Sequence, residues 1–337
     1  MAVFKALGSR GWAVGWLLIL WLGGCFRPSQ PAAREGLWIR TLVVDGRQRR
    51  YALFLPQPLG EERLPLVLEL HGGGIPIEEM LGLRGHKSPY KLWMDLAVRE
   101  GFLVLYPEGW TAPSGRPTWN DCRRDCAVCS SADDVRFLET LIEEVASRYP
   151  VDRSRIYVSG TSNGGFMAQR LAGAWGERLA AVASVAAALP AQSECPPPRV
   201  PISVLYMNGT QDNHMPYQGG LLGNPPDPAH GTVRSTEDSV AFWVALDGTE
   251  TTPRRYALPD LDANDGGTVE KWVYAHGLQD TEVVLYRING GGHSAPSLQE
   301  RYSRIYERYF NRQNHDVEMT SEVWAFFRRH RRPAGER

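Results

Sequence analysis

The residues best suited to chemistry stand at Gly160-Thr161-Ser162-Asn163-Gly164. A serine with glycine two residues to either side can sit on a bend tight enough to lift its hydroxyl clear of the backbone. The apolar stretch 155–159 reads as a buried strand and 163–172 as a helix, so the bend joins a strand to a helix. That setting separates a nucleophile from an ordinary Ser/Gly turn. The Asn163 N–H at the helix start would face an oxyanion forming on a carbonyl attacked by Ser162. The chemistry such a bend supports is acyl transfer through a covalent serine ester.

A nucleophilic serine needs a base, and the base needs an orienting acid. His214, His230, His276, His293 and His315 lie between Ser162 and the last helical stretch. Only His293 follows a strand end on a glycine loop, Gly290-Gly291-Gly292-His293, and it is the expected base. Asp212, in Asn208-Gly209-Thr210-Gln211-Asp212 after an apolar strand, is the expected acid, with Asp262 and Asp265 in reserve. A second oxyanion donor is expected from His71-Gly72-Gly73-Gly74, directly after the strand 66–70. Gly73 is assigned, with Gly72 and Gly74 as alternatives, and His71 is expected to brace the loop. Each such donor contributes roughly 2.7–4 kcal/mol to a transition state.

These residues need a scaffold that delivers strand ends to one edge. Alternation in 38–44 and 50–55 around Asp45-Gly46 predicts a hairpin. Beyond it, short apolar runs at 64–70, 102–106, 155–159, 180–185, 202–208 and 283–288 alternate with helical stretches. Those are 90–100, Val135 to Val145 with apolar residues at helical spacing, 163–172, a helix opened by Ser235 with Asp238 three residues on, and 320–329. The pattern predicts an α/β fold with a mostly parallel sheet and helices on both faces.

The chain has 337 residues, 43% of them hydrophobic, with a formal net charge of -1. That balance gives no basic stripe for a nucleic-acid partner. The run Arg328-Arg329-His330-Arg331-Arg332 is expected to be a solvated, fraying tail. Lys5 and Arg10 precede an apolar run at 11–22, and then Leu22-Gly23-Gly24-Cys25. The run is short for a bilayer span and has the proportions of a secretory signal. The small residues before Cys25 resemble a bacterial lipobox, so Cys25 is expected to be lipidated and to hold an exported chain on an envelope membrane. An ordinary cleaved signal or a single anchor helix are alternatives, and both also export the chain. Residues 1–25 are thus expected as signal, 26–36 as a tether and 37–337 as one catalytic domain.

Five cysteines less Cys25 leave Cys122, Cys126, Cys129 and Cys195. Cys122-x3-Cys126-x2-Cys129 has iron–sulfur spacing, but that chemistry belongs to a reducing compartment. Outside the cytoplasm an even number predicts two disulfides with three possible pairings. Asp260 to Gly266 does not keep calcium-loop spacing and reads as a polar turn. No metal or cofactor is expected.

The chain resembles secreted polyhydroxybutyrate-depolymerase-like and feruloyl-esterase-like members of the α/β hydrolases over roughly residues 40–330. The matching stretches are Leu70-His71-Gly72, Tyr106-Pro107-Glu108-Gly109, Trp119-Asn120-Asp121-Cys122, and Asp133-Asp134-Val135-Arg136-Phe137-Leu138. Further on come Gly160 to Gly165, Asn208 to Asp212, Pro216-Tyr217-Gln218-Gly219-Gly220, and Gly291-Gly292-His293. The resemblance implies a Ser162–Asp212–His293 triad and places the 119–129 loop, with Trp119 and Asn120, on the substrate side. It implies a small-molecule or polymer ester substrate: feruloyl, acetyl or hydroxyalkanoate. Asp133 and Asp134 are expected to cap the following helix. A peptidase on the same fold and a non-catalytic surface lipoprotein are the rival readings. The absence of a visible propeller disfavours the first, and the three intact triad candidates disfavour the second.

Overall fold

Asp45 and Gly46 both take positive φ (50° and 73°), the geometry of a tight hairpin bend. They join β1 (Leu37–Val44) to β2 (Arg47–Phe54) as an antiparallel pair. The computed structural model describes residues 34–84 and 88–332. Cys25, the signal segment and most of the expected tether lie outside the described residues. The last tether positions belong to the fold: Gly36 O accepts the Leu55 N–H (2.9 Å), and Arg34 pairs with Asp95 (2.7 Å).

Eight further strands complete one sheet: β3 (Leu64–Leu70), β4 (Leu103–Pro107), β5 (Val151–Thr161), β6 (Ala181–Val185), β7 (Ser203–Gly209), β8 (Arg254–Ala257), β9 (Thr268–Tyr274) and β10 (Val283–Asn289). Their order is β1-β2-β4-β3-β5-β6-β7-β10-β9-β8. The six from β4 to β10 run parallel, and antiparallel pairs close both edges. The sheet is thus mostly parallel, as the alternation of strands and helices predicted. The edge pair β8–β9 was not foreseen, because β8 is exposed along its length and shows no apolar alternation.

The central strands are buried on both faces, which requires helices on both sides. Leu66, Leu68 and Leu70 of β3 face one core, with α2 (Asp134–Arg148), α3 (Asn163–Trp175) and α4 (Thr236–Asp247). Val67 faces the other, with α1 (Leu92–Glu100) and α6 (Met319–Phe327). There Phe102 stacks on Trp324 at 4.1 Å and Tyr157 on Phe327 at 4.8 Å. A short helix, α5 (Arg304–Phe310), precedes α6.

Two expectations about charged residues need correction. Asp133 does cap α2, accepting the Arg136 N–H at 3.0 Å. Asp134 instead points inward, into a buried ion pair with Arg49 at 2.6 Å. The basic C-terminus is held rather than fraying. Arg329 and His330 pair with Glu282, and Arg331 with Asp152 (3.2 Å). Arg332 is buried, its guanidinium on the carbonyls of Pro201 and Gly176.

Two acids are buried with few partners. Glu69 on β3 accepts the Trp93 indole N–H (2.8 Å), and Asp247 at the end of α4 accepts the Ile202 N–H (3.1 Å). Burial pushes both carboxyls up to about 7, from ordinary values of 4.5 and 3.8. Both are therefore neutral in the fold at a pH where the unfolded chain ionises them. Their contribution to stability is complete below the unfolded values and is lost as pH rises through about 7. Urea unfolding is expected to show a larger stability loss between about pH 4 and about pH 8 for the wild type than for Glu69→Gln or Asp247→Asn. Equal losses in all three proteins would contradict this.

Candidate active site

The bend predicted at residue 162 is present. β5 ends at Thr161, α3 starts at Asn163, and Ser162 between them has φ 55° and ψ -118°. A Cβ at Gly160 would meet Gly164 O at 2.3 Å, and one at Gly164 would meet Leu70 O at 2.2 Å. Both positions therefore exclude any side chain. The Ser162 N–H is held by Val185 O (2.8 Å) on β6.

Loops after two other strands bring His293 and Asp212 to the same edge. His293 Nε2 lies 2.9 Å from Ser162 Oγ, and His293 Nδ1 lies 2.7 Å from Asp212 Oδ2. The other Asp212 oxygen accepts the N–H groups of His214 (2.8 Å) and Met215 (2.7 Å). The carboxylate is thus fixed as an acceptor, and Nδ1 keeps its proton and donates a hydrogen bond to it. In the neutral ring, Nε2 is left free to accept from the serine hydroxyl. The reserve acids lie elsewhere: Asp262 pairs with Arg301 (2.5 Å), and Asp265 accepts the Gly267 and His315 N–H groups.

His214 stacks on His293 (5.3 Å) and Phe310 (4.6 Å). Burial, and then the neighbouring His293, push its imidazole down to about 4. It is an uncharged wall beside the Asp212-paired ring.

The Gly74 N–H is spent on Pro117 O (2.8 Å). The Gly73 N–H has no acceptor among the described residues, and a Cβ there would lie 3.7 Å from Asn163 Cβ. As the first residue of α3, Asn163 also has an N–H with no intrahelical partner. Two free donors therefore stand side by side near Ser162. His71 is fully buried and its Nε2 accepts the Gly109 N–H (2.8 Å), so Nδ1 carries the proton and donates to Gly72 O (2.7 Å). Burial pushes its pKa down to about 4, and it stays neutral as a brace.

Trp119 and Asn120, expected on the substrate side, are not among the residues lining the cavity over Ser162. Trp119 is fully buried against His71 at 4.8 Å, with its indole N–H on His71 O (2.9 Å). Asn120 is held by Asp134 and Ala132, and its carbonyl accepts from Arg170. An indole and an amide this well partnered serve the interior better than a wet pocket. Other residues of that loop, Arg123, Val128 and Cys129, do line a cavity of about 660 Å³ over Ser162 and His293. The four cysteines pair as Cys122–Cys195 and Cys126–Cys129.

The far wall of the cavity includes Met215, Leu222 and Phe310. Phe310 was missed from the sequence, although Tyr302, Tyr306 and Phe310 recur every fourth residue. They stack at 4.0 and 4.4 Å, and that spacing could have revealed the helix.

A parallel sheet covered on both faces, with such residues on loops at one edge, defines an α/β hydrolase. Solved structures share this fold. A thermostable esterase matches with a TM-score of 0.52 and 14% identity, over 88% of this chain and 64% of that one. Acetyl xylan esterase from Aspergillus awamori matches with a TM-score of 0.50 and 14% identity, over 81% of this chain and 98% of that one. More specifically, the family model described as esterase PHB depolymerase matches residues 49–193. The esterase-type protein NocK of Nocardia uniformis subsp. tsuyamanensis is 33% identical over 274 residues, 79% of this chain and 76% of that protein. Feruloyl esterase B of Piromyces equi is 29% identical over 245 residues, 70% of this chain, which spans only 40% of that protein's length. The chain belongs to the PHB-depolymerase-like esterase family and is a carboxylic-ester hydrolase, in agreement with the resemblance read from its sequence.

Because Gly164 Cβ space is filled by the end of β3, Gly164→Ala is expected to lower unfolding free energy by at least about 3 kcal/mol, or to prevent soluble expression. Denaturant unfolding checks this, and a change below about 1 kcal/mol would refute it.

Proposed function

We propose that Ser162 is the nucleophile, His293 the general base and acid, and Asp212 the orienting carboxylate of an exported serine esterase. The observation that carries this is the unbroken line of hydrogen bonds from Ser162 Oγ through the His293 ring to Asp212. Ser162 attacks the ester carbonyl as His293 Nε2 takes its proton, and Asp212 stabilises the resulting imidazolium. The Gly73 and Asn163 N–H groups hold the oxyanion. His293 then protonates the leaving alcohol. Water, activated by the same ring, releases the acid and restores the serine.

The proposed substrates carry a bulky acyl group, of the hydroxycinnamoyl or hydroxyalkanoate kind, rather than acetyl alone. A cavity of about 660 Å³ walled by Phe166, Met215, Leu222 and Phe310 supports this reading. So does the similarity to a protein named feruloyl esterase. Export is supported by the two disulfides, which persist in oxidising compartments. Lipidation of Cys25 would anchor the domain to the envelope membrane.

Against a panel of aryl and alkyl esters, Ser162→Ala is expected to lose at least about 10³-fold in kcat, and Asp212→Asn about 10³–10⁴-fold. Wild-type kcat/KM should be higher for hydroxycinnamoyl or hydroxyalkanoate esters than for acetyl esters. Equal activity of Ser162→Ala and wild type on every ester would end the mechanism, and a preference for acetyl would end the acyl-group reading alone.

A further inference from the structure

Between Ser162 and the Cys126–Cys129 disulfide lies a buried ion pair that the hydrolytic steps do not use. The side chains of Asp121 and Arg123 are 0% and 6% exposed. Arg123 grips the carboxylate through Nε (3.0 Å) and Nη2 (2.8 Å). A buried pair of this kind rarely stabilises a fold more than apolar residues of the same size would. What it touches suggests another role.

Asp121 Oδ2 accepts the Asn163 side-chain amide at 2.6 Å, a short, charge-assisted bond. At its other end, Asn163 Oδ1 accepts the Trp119 N–H (2.7 Å). The Trp119 indole in turn holds His71 O, at the head of the loop that carries Gly73. The Asn163 side chain is therefore fixed at both ends, and one of its anchors also holds His71 O, two residues before Gly73. On the outer side, Arg123 donates to His230 O (2.6 Å) and to Cys129 Sγ (3.1 Å), and lies 4.3 Å over the Phe166 ring. The pair is thus rigid on the pocket side as well.

We propose that Asp121 is a positioning residue for the oxyanion site. By clamping the Asn163 side chain it fixes the direction of the Asn163 N–H relative to that of Gly73. Arg123 neutralises the carboxylate, so its charge does not oppose the oxyanion. A hydrogen bond weakens steeply once its donor is misaimed, and the Asn163 peptide adjoins a residue at φ 55°, where only its surroundings hold it. The inference rests on the proposed Ser162 nucleophile.

The test uses the full-length chain, steady-state hydrolysis of an aryl ester, and inhibition by phenylboronic acid as a tetrahedral mimic. Removing an oxyanion donor outright costs about 10²–10³-fold, so misaiming one through Asp121→Ala is expected to cost about 10–100-fold in kcat. KM should stay within about threefold, and boronate affinity should fall in parallel with kcat/KM. Asn163→Ala keeps the backbone N–H but loses the clamp, so its loss should match. The double variant should be no worse than either single one. Asp121→Asn, which keeps an acceptor for Asn163, should recover most of the activity. Should Asp121→Ala fail to fold, Asn163→Ala and Asp121→Asn carry the test. Additive losses, a loss confined to KM, or falling kcat with unchanged boronate affinity would overturn the proposal. An inactive Ser162→Ala beside an undiminished Asp121→Ala sinks this inference alone, whereas an active Ser162→Ala removes the mechanism beneath it.

Discussion

At Ser162 the chain must pass from an extended strand into a helix within one residue, at a backbone angle that a serine adopts only under constraint. The constraint is the register of three neighbouring parallel strands. Leu70 of β3 pairs with Gly160 of β5, and Thr161 of β5 with Val185 of β6. Leu70 O crowds Gly164 from one side, and Val185 O holds the Ser162 N–H from the other. A one-residue slip of β3 would move the His71 to Gly73 loop away from Asn163 and turn its leucines out of their core. Sheet pairing, buried on both faces, thus fixes the distance between the proposed nucleophile and the proposed oxyanion donors.

The same edge gathers three histidines in unlike surroundings. His71 is sealed in and satisfied by backbone groups, and His214 is packed between rings, so burial keeps both neutral. His293 alone of the three meets a carboxylate through Nδ1, and that carboxylate has its other oxygen held by two backbone N–H groups. The difference lies in the partners offered at each strand end, since the side chains are identical. An imidazolium formed at His293 would be stabilised by Asp212, and no second charged ring stands beside it.

Features set by local rules were legible in the sequence. The hairpin at Asp45-Gly46, the strand–bend–helix at Ser162, the cap at Ser235 and the alternation behind the parallel sheet depend on neighbours a few residues away. Features set by distant partners were not. Trp119 and Asn120 belong to a motif that marks the site but does not say which way their side chains face. The inward turn of Asp134 depends on Arg49, 85 positions earlier. The C-terminal arginines look solvated until Glu282, Asp152 and the carbonyls near Gly176 come beside them. Disulfide pairing had three solutions, and the choice required the loop from Cys122 to meet the segment after β6.

The two disulfides act on different scales. Cys122–Cys195 joins residues 73 apart, so it removes much freedom from the unfolded chain. Cys126–Cys129 joins residues only 3 apart and removes little. Its effect is local shape: it holds Val128 and Cys129 in the cavity wall and offers Cys129 Sγ to Arg123. The proposed triad hangs on strand ends, whereas most of the cavity wall comes from segments outside the ten-stranded sheet. Such loops can change substrate preference without disturbing the chemistry. The short disulfide therefore ties down a loop of the cavity wall, beside the Asp121–Arg123 pair proposed to aim the oxyanion donors.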